Sequence, residues 1–233
     1  MPRLVGMMLV RNEAGRYLRS VLEQFAACCD EIAVLDDAST DATPDLCAEF
    51  GADVYRRAES GFGEEWRARA QLWEHVALRS PDWVLCLDAD ETLEPGGARV
   101  LPRVLDDAEA AGARSVAFRL YDMWSPTHYR ADRLWSAHTR WWPLCVRFEP
   151  QSHWEWPHRR QHVGRFPRNL PQAPWAAVDL RVQHWGWARA EDRAAKVARY
   201  RALDPDGTQG GVLAQYASIL DPDPNLEPWE ERG

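Results

Sequence analysis

An α/β fold built on a parallel sheet covered on both faces is what the first half of this chain predicts, and three observations carry the prediction. Short apolar runs (Leu4–Val10, "EIAVLDD" at 31–37 and "DWVLCL" at 82–87) alternate with segments of helical periodicity. The runs are continuous, as strands buried on both faces are. Each ends in polar residues: Arg11-Asn12, Asp36-Asp37, and Asp88 with Asp90. Open parallel sheets bind ligands beyond the carboxyl ends of their strands. The three polar clusters are therefore expected to meet at one edge.

Element by element, Leu4–Val10 reads as a buried strand. Tyr17, Leu18, Val21, Leu22, Phe25 and Ala26 then recur as one face of an amphipathic helix. The run at 31–37 is the second strand. Thr43 followed by Pro44 reads as an N-cap with proline at the first helical position, opening a helix through Phe50. Val54-Tyr55 fits a short strand, 64–79 a helix that closes before Pro81, and 82–87 a third long strand. After Gly97 the pattern loosens. Val100–Ala110 reads as a helix, and "SVAFRLY" and "LCVRF" as strands. Trp, His, Arg and Pro accumulate at 123–143 and 152–171. "VDLRVQHWGW" is a last strand running into a turn, and Ala190–Leu203 an amphipathic helix. The proline-rich, acidic "LDPDPNLEPWEERG" reads as an irregular tail.

Composition narrows the function classes. A chain of 233 residues suits one sizeable domain or a core with an appended lobe. Its 45% hydrophobic and 27% charged content is that of a soluble globular protein. No apolar run reaches the roughly 18–20 residues that span a bilayer, and "MPRLVGMMLVRNEAG" lacks the h-region and cleavage site of a secretory signal, so a cytoplasmic location is expected. Five cysteines with no CxxC spacing point to neither a disulfide framework nor zinc, and Cys86 reads as a small buried hydrophobe. A net charge of −8 argues against nucleic-acid binding. Lys196 is the sole lysine. Nine of the 13 tryptophans fall between Trp124 and Trp187, as stacking platforms or as an aromatic core.

The chemistry concentrates in "DWVLCLDADETLEP". Clustered carboxylates repel one another, and a cation makes the arrangement worthwhile. In an extended strand Asp88 and Asp90 share a face, which suits Mg²⁺ or Mn²⁺, hard ions that prefer oxygen ligands and leave places for phosphate. The residues alone also fit a solvated strand end, with Glu91 and Glu94 capping the next helix. In "DDAST", Ser39, Thr40, Asp41 and Thr43 are turn and capping residues. The Asp36-Asp37 pair is left over, and an acid there can accept from a base N–H or a ribose hydroxyl.

Taken together and in this order, "LVRNEAGRYLRSVL", "EIAVLDDASTDATPDL" and "DWVLCLDADETLEP" resemble family 2 glycosyltransferases, which have the GT-A fold. The resemblance covers about the first hundred residues well. It implies a Rossmann-like, mostly parallel nucleotide-binding sheet flanked by helices, with an irregular Trp-rich acceptor side. Residues 1–112 would be the nucleotide-sugar-binding half, 113–205 the acceptor-side half and 206–233 a tail. The implied activity is metal-dependent transfer of a sugar from a nucleotide diphosphate, UDP-sugars being the commonest donors and Mn²⁺ or Mg²⁺ the cofactor. The acceptor is open: a glycan, a lipid-linked molecule or a small molecule, and a lipid-linked one would allow peripheral membrane contact.

By the same resemblance Asp37 contacts the base, with Val10 and Arg11 lining its pocket. Asp90 is the direct metal ligand and Asp88 lies nearer the ribose. Arg69 matches the arginine of an Ala-Arg-Asn motif in which Ala70 replaces the asparagine; a solvated helix face explains Arg67 and Arg69 as well. His184 in "VQHWGW" matches a His-x-Gly whose imidazole completes the metal shell, although a lone histidine beside tryptophans also fits a core residue. Arg193 and Lys196 can neutralise a diphosphate or stand as exposed helix charges. For an inverting reaction the candidate base is Glu155, whose aromatic neighbours would raise its pKa by excluding water; Asp122, Asp132 and His162 compete. Two other readings remain. A nucleotidyltransferase would carry a Gly-rich basic loop near residue 10, where "LVRNEAGRY" has only Gly15. A non-catalytic module would hold a nucleotide or glycan through its tryptophans.

Overall fold

The structure, a computed structural model, describes residues 2–61, 63–151, 153–160, 162–208 and 212–232. In chain order the elements are β1 (Leu4–Val10), α1 (Leu18–Cys28), β2 (Glu31–Asp36), α2 (Thr43–Glu49), β3 (Asp53–Arg56), α3 (Glu65–Ala77), β4 (Trp83–Cys86) and β5 (Glu91–Leu93). There follow α4 (Gly97–Ala110), β6 (Ser115–Asp122), β7 (His128–Arg130), β8 (Trp142–Arg147), β9 (Trp175–His184), α5 (Ala190–Leu203), α6 (Leu213–Ser218) and β10 (Leu226–Pro228). Single 3₁₀ turns lie at Ala137–Thr139 and Trp185–Trp187.

One eight-stranded, mostly parallel sheet runs β3-β2-β1-β4-β8-β6-β9-β5. Its first four strands are parallel, as the alternating pattern predicts. β8 then enters antiparallel between β4 and β6. β9 lies parallel to β6, and β5 pairs antiparallel with β9. The period of two sorts side chains between two layers. Met8, Val10, Ile32, Val34, Trp83 and Leu85 join the core under α1 and α4. Val5, Met7, Ala33, Leu35, Val84 and Cys86 join the core under α3. Leu18, Val21, Leu22 and Phe25 of α1 are fully buried, each contributing on the order of 1.5–3 kcal/mol. Gly6 lets α1 come close, since a Cβ there would lie 3.0 Å from the Phe25 ring.

Three local expectations are corrected. Thr43 is not the N-cap of α2; its hydroxyl instead accepts from the backbone N–H groups of Glu13 and Ala14, tying the loop after β1 to that helix. The helix expected from Val100 starts at Gly97. The C-terminal stretch is not wholly irregular, because β10 pairs with β7 and Trp229 stacks 3.9 Å from the Arg181 guanidinium. Six of the 13 tryptophans are buried in the core, and Trp124, Trp135 and Trp187 among them form a third cluster with Tyr216 and Ile219. All five cysteines are free. No helix among the described residues is long and apolar enough to cross a membrane.

Candidate active site

The carboxyl ends of β1, β2 and β4 open into one cavity of about 730 Å³. At its first wall the Asp37 N–H donates to Val10 O (2.9 Å), fixing the two strand ends together. The Asp37 carboxylate is buried and accepts from Arg57 Nη1 (2.7 Å), Ser60 Oγ (2.8 Å) and Gly61 N (2.9 Å). Arg11 bonds Ser60 and stands 4.0 Å from Asp37 Oδ2. A carboxylate offers roughly four lone-pair sites, so this acid is held rigidly with capacity left to accept from a ligand.

At the second wall the acids are not in an extended strand. β4 ends at Cys86, and residues 87–90 form a turn into β5. It is closed by Glu91 N to Asp88 O (3.0 Å) and Asp88 N to Glu91 Oε2 (2.9 Å). The two carboxylates consequently diverge. Asp88 meets Arg69 Nη2 at 3.0 Å and Arg165 Nη1 at 3.2 Å. Burial pushes its carboxyl up, but Arg165 and Arg69 outweigh that and bring it down to about 2. Glu91 and Glu94 cap no helix. Glu91 is buried and accepts from Arg165 Nη2 (2.6 Å), and Glu94 is buried and accepts from Arg181 Nε (2.7 Å).

The strand register explains the partners of Asp90. β5 pairs Glu91 with His184, and β6 pairs Asp122 with the same histidine from the other side. His184 thus stands between two acids that are far from it in sequence. Its Nδ1 lies 2.9 Å from Asp122 Oδ1, and its Nε2 lies 3.6 Å from Asp90 Oδ2. From α5, Lys196 brings Nζ to 3.2 Å from Asp90 Oδ2 and 3.5 Å from His184 Nε2. Burial favours the uncharged forms, yet Lys196 and His184 hold the Asp90 carboxyl well below the usual range, and Asp90 lifts the imidazole to about 10.

Residues 8–167 match the model of glycosyl transferase family 2. The chain belongs to that family. An uncharacterized protein of Mycobacterium tuberculosis is 30% identical over 94% of this chain and 54% of its own length. The chain thus spans about half the length of such curated relatives. An uncharacterized glycosyltransferase of Mycoplasma pneumoniae is 30% identical over 38% of this chain and 30% of its own. In fold, this family 2 domain is similar to crystalline S. aureus TarS, with a TM-score of 0.53 at 14% identity over 94% of this chain and 42% of TarS. TarS 1–349 in complex with UDP-GlcNAc gives 0.52 at 14% identity, over 94% and 70%.

Within this family 2 domain, Val10, Arg11, Asp37, Arg69, Asp88, Asp90 and His184 all line the one cavity. Arg67 is an exposed helix charge beside Glu64, but Arg69 is buried, so the solvated-face reading holds for only one of the pair. Glu155 is not brought in. It lines neither this cavity nor its neighbour, its side chain is 58% exposed, and its partner is His153 at 3.4 Å. Exposure removes the desolvation that its aromatic neighbours were expected to cause. Sequence reasoning passed over Arg165 and Glu13. Asp122 entered only as a rival base, although a strand-terminal acid after an apolar run is the same signal that marks Asp36-Asp37.

The family resemblance implies a divalent ion, and the donors present fit one. A carboxylate and an imidazole whose other nitrogen is held by a second carboxylate form a set that Mn²⁺ accepts. A Cβ on Gly186 would lie 2.2 Å from Asp90 Oδ2, 3.0 Å from His184 Nε2 and 2.0 Å from Lys196 Nζ. These three polar atoms thus crowd the space that the missing side chain leaves. Asp90 and His184 would hold the ion. Among the described residues no group of three or more His, Cys, Asp or Glu could hold a metal, so phosphate and water oxygens would complete its shell.

Proposed function

We propose that this domain transfers a sugar from a nucleotide diphosphate to an acceptor hydroxyl, with UDP-sugars the first donors to test and Mn²⁺ or Mg²⁺ as cofactor. The observation that carries the reading is one cavity with the Asp37 cradle on one wall and Asp90, His184 and Lys196 on another. Acceptors for a base on one wall and cationic groups for phosphates on another, in one cavity, suit a nucleotide diphosphate. TarS 1–349, similar in fold, is known in complex with UDP-GlcNAc. Residues 1–112 would serve the donor and 113–205 the acceptor. A second cavity of about 640 Å³ shares Trp135, Arg165, His184 and Trp187 with the first and would receive the acceptor.

A bound divalent ion supplies positive charge to the departing diphosphate. Asp37 positions the base, and Lys196 and Arg165 add charge beside the phosphates. For inversion we assign the proton acceptor to His162, which lines the donor cavity. Tyr216 donates to Asp204 (3.1 Å), so its oxygen is left to accept from His162 Nε2 (2.8 Å). That tautomer leaves Nδ1 to accept a proton; His162 is exposed over part of its surface, and desolvation of the rest lowers the imidazole's pKa, keeping it neutral near pH 7. The acceptor oxygen then bonds the anomeric carbon, its proton passes to Nδ1, and the broken bond's electron pair leaves on the diphosphate. His162→Gln is expected to slow transfer by about 10²–10⁴ with donor binding near normal, and Glu155→Gln to behave as wild type.

The test uses purified protein, Mn²⁺ and a panel of nucleotide-sugars. Slow release of nucleoside diphosphate from one of them supports the reading. Binding without release would make the chain a carrier, and pyrophosphate release from a nucleoside triphosphate would make it a nucleotidyltransferase.

A further inference from the structure

Among 28 basic residues this chain has a single lysine, and the fold buries it at Asp90. The Lys196 side chain is 11% exposed, with Nζ 4.1 Å from the Trp187 ring centroid and against both Asp90 Oδ2 and His184 Nε2. A guanidinium is a wide planar fork, whereas an ammonium is a compact charge on a flexible four-carbon stem. Only the compact charge suits a space bounded by the bare face of Gly186, where even a Cβ would meet Nζ at 2.0 Å.

We infer that the Lys196 ammonium and a divalent ion exclude each other at this position, so that the lysine holds Asp90 when metal is absent and moves to the diphosphate when metal arrives. The ammonium uses the Asp90 lone pairs that an ion would need, and two cations in contact repel. The stem of Lys196 rises from α5 beside the same cavity, so the displaced ammonium has phosphate oxygens within the site to receive it. The inference rests on the donor-site reading above and adds to it an exchange of cations at one carboxylate. It gives a reason for a lysine here in a chain that otherwise uses arginine.

Having one lysine makes the test direct. Acetylation of Lys196 by an amine-selective reagent, followed by mass spectrometry with the α-amine as internal reference, is expected to be slow in the metal-free protein. Saturating Mn²⁺ should speed it by roughly tenfold, the equivalent of about 1.4 kcal/mol of lost contact, and UDP added with Mn²⁺ should slow it again. By calorimetry without nucleotide, Lys196→Met should bind Mn²⁺ about tenfold more tightly than wild type while losing affinity for UDP in the presence of Mn²⁺. Labelling that ignores bound Mn²⁺ overturns the exchange. So does a Lys196→Met protein with unchanged Mn²⁺ affinity, or the absence of Mn²⁺ binding to both proteins. Mn²⁺ binding only to the variant overturns the exchange as well, because the lysine would then never yield its place to the metal. If exchange is seen but no nucleotide-sugar is hydrolysed, the donor reading fails and the cation exchange stands. Hydrolysis without exchange overturns the cation exchange and leaves the donor reading standing.

Discussion

Asp88 and Asp90 lie two residues apart on one turn, and the protein surrounds them in opposite ways. Asp88 is clamped by two guanidiniums whose other nitrogens are also engaged, Arg69 Nε on Glu65 (3.3 Å) and Arg165 Nη2 on Glu91 (2.6 Å). Moving either arginine would break contacts with two acids at once. Asp90 faces one ammonium and one imidazole. Both carboxyls sit below their ordinary pKa, so attraction alone does not distinguish them. Exchangeability does. The Asp88 side is a fixed frame, and the Asp90 side is where a cation can be traded.

The comparison breaks first at Asp90→Asn. Losing the exchangeable carboxylate should lower donor hydrolysis by about three to four orders of magnitude and abolish Mn²⁺ binding by calorimetry, with the fold retained. If the variant binds Mn²⁺ like wild type, the two acids do not differ as described. The next largest effect belongs to the frame. Arg165→Met would leave Glu91, 1% exposed, without its cation. Removing one partner of a buried pair costs about 3–5 kcal/mol, which for a domain of this size lowers Tm by roughly 10 °C. Thermal unfolding measures it, and adding Glu91→Gln to the same chain should restore most of the loss. A smaller effect separates the two acids directly. Asp88→Asn should reduce donor hydrolysis by about tenfold, on the order of 1.4 kcal/mol, and leave Mn²⁺ affinity within a factor of about two.

What could be read from sequence follows the same division between near and distant partners. The strands of the first half were legible because unbroken apolar runs ending in acids state both burial and edge, as at Leu35-Asp36 and Leu87-Asp88. Convergence of Arg11, Asp37, Asp88 and Asp90 followed from topology alone. The partners were not legible, since each depends on a register between distant segments. His184 reaches Asp90 only because β5 pairs with β9, and Asp122 reaches His184 only because β6 pairs with β9 from the other side. Arg165 comes from an irregular segment, where no periodicity says which arginine turns inward. Glu155 failed for that reason too: aromatic neighbours in sequence did not become a dry environment in space, because Trp154 and Trp156 turn to the core against α3 while the acid faces solvent.

Glu13 supplies the finest test of the difference between the two acids. It lines the cavity, pairs with Arg16 Nη1 at 3.1 Å, and has Oε2 buried without a hydrogen-bond partner. Burial raises its carboxyl to about 7 against the pull of Arg16; Asp90 and Asp192 push it further up and Lys196 opposes them. An acid raised on folding keeps its proton in the native state while the unfolded chain ionises. Its contribution to stability is therefore full below about pH 4.5 and is lost as pH rises toward 7. Glu13→Gln should remove that loss, making the variant about 1–2 kcal/mol more stable than wild type at pH 8 and equal to it at pH 4, by urea unfolding at each pH. Because Asp90 is among the charges that lift Glu13 and Asp88 is not, Asp90→Asn should flatten part of the wild-type slope and Asp88→Asn should leave it unchanged. Equal slopes in those two variants would mean that Glu13 does not sense the Asp90 charge, and that the Asp90 side carries no charge coupling of its own to the loop after β1.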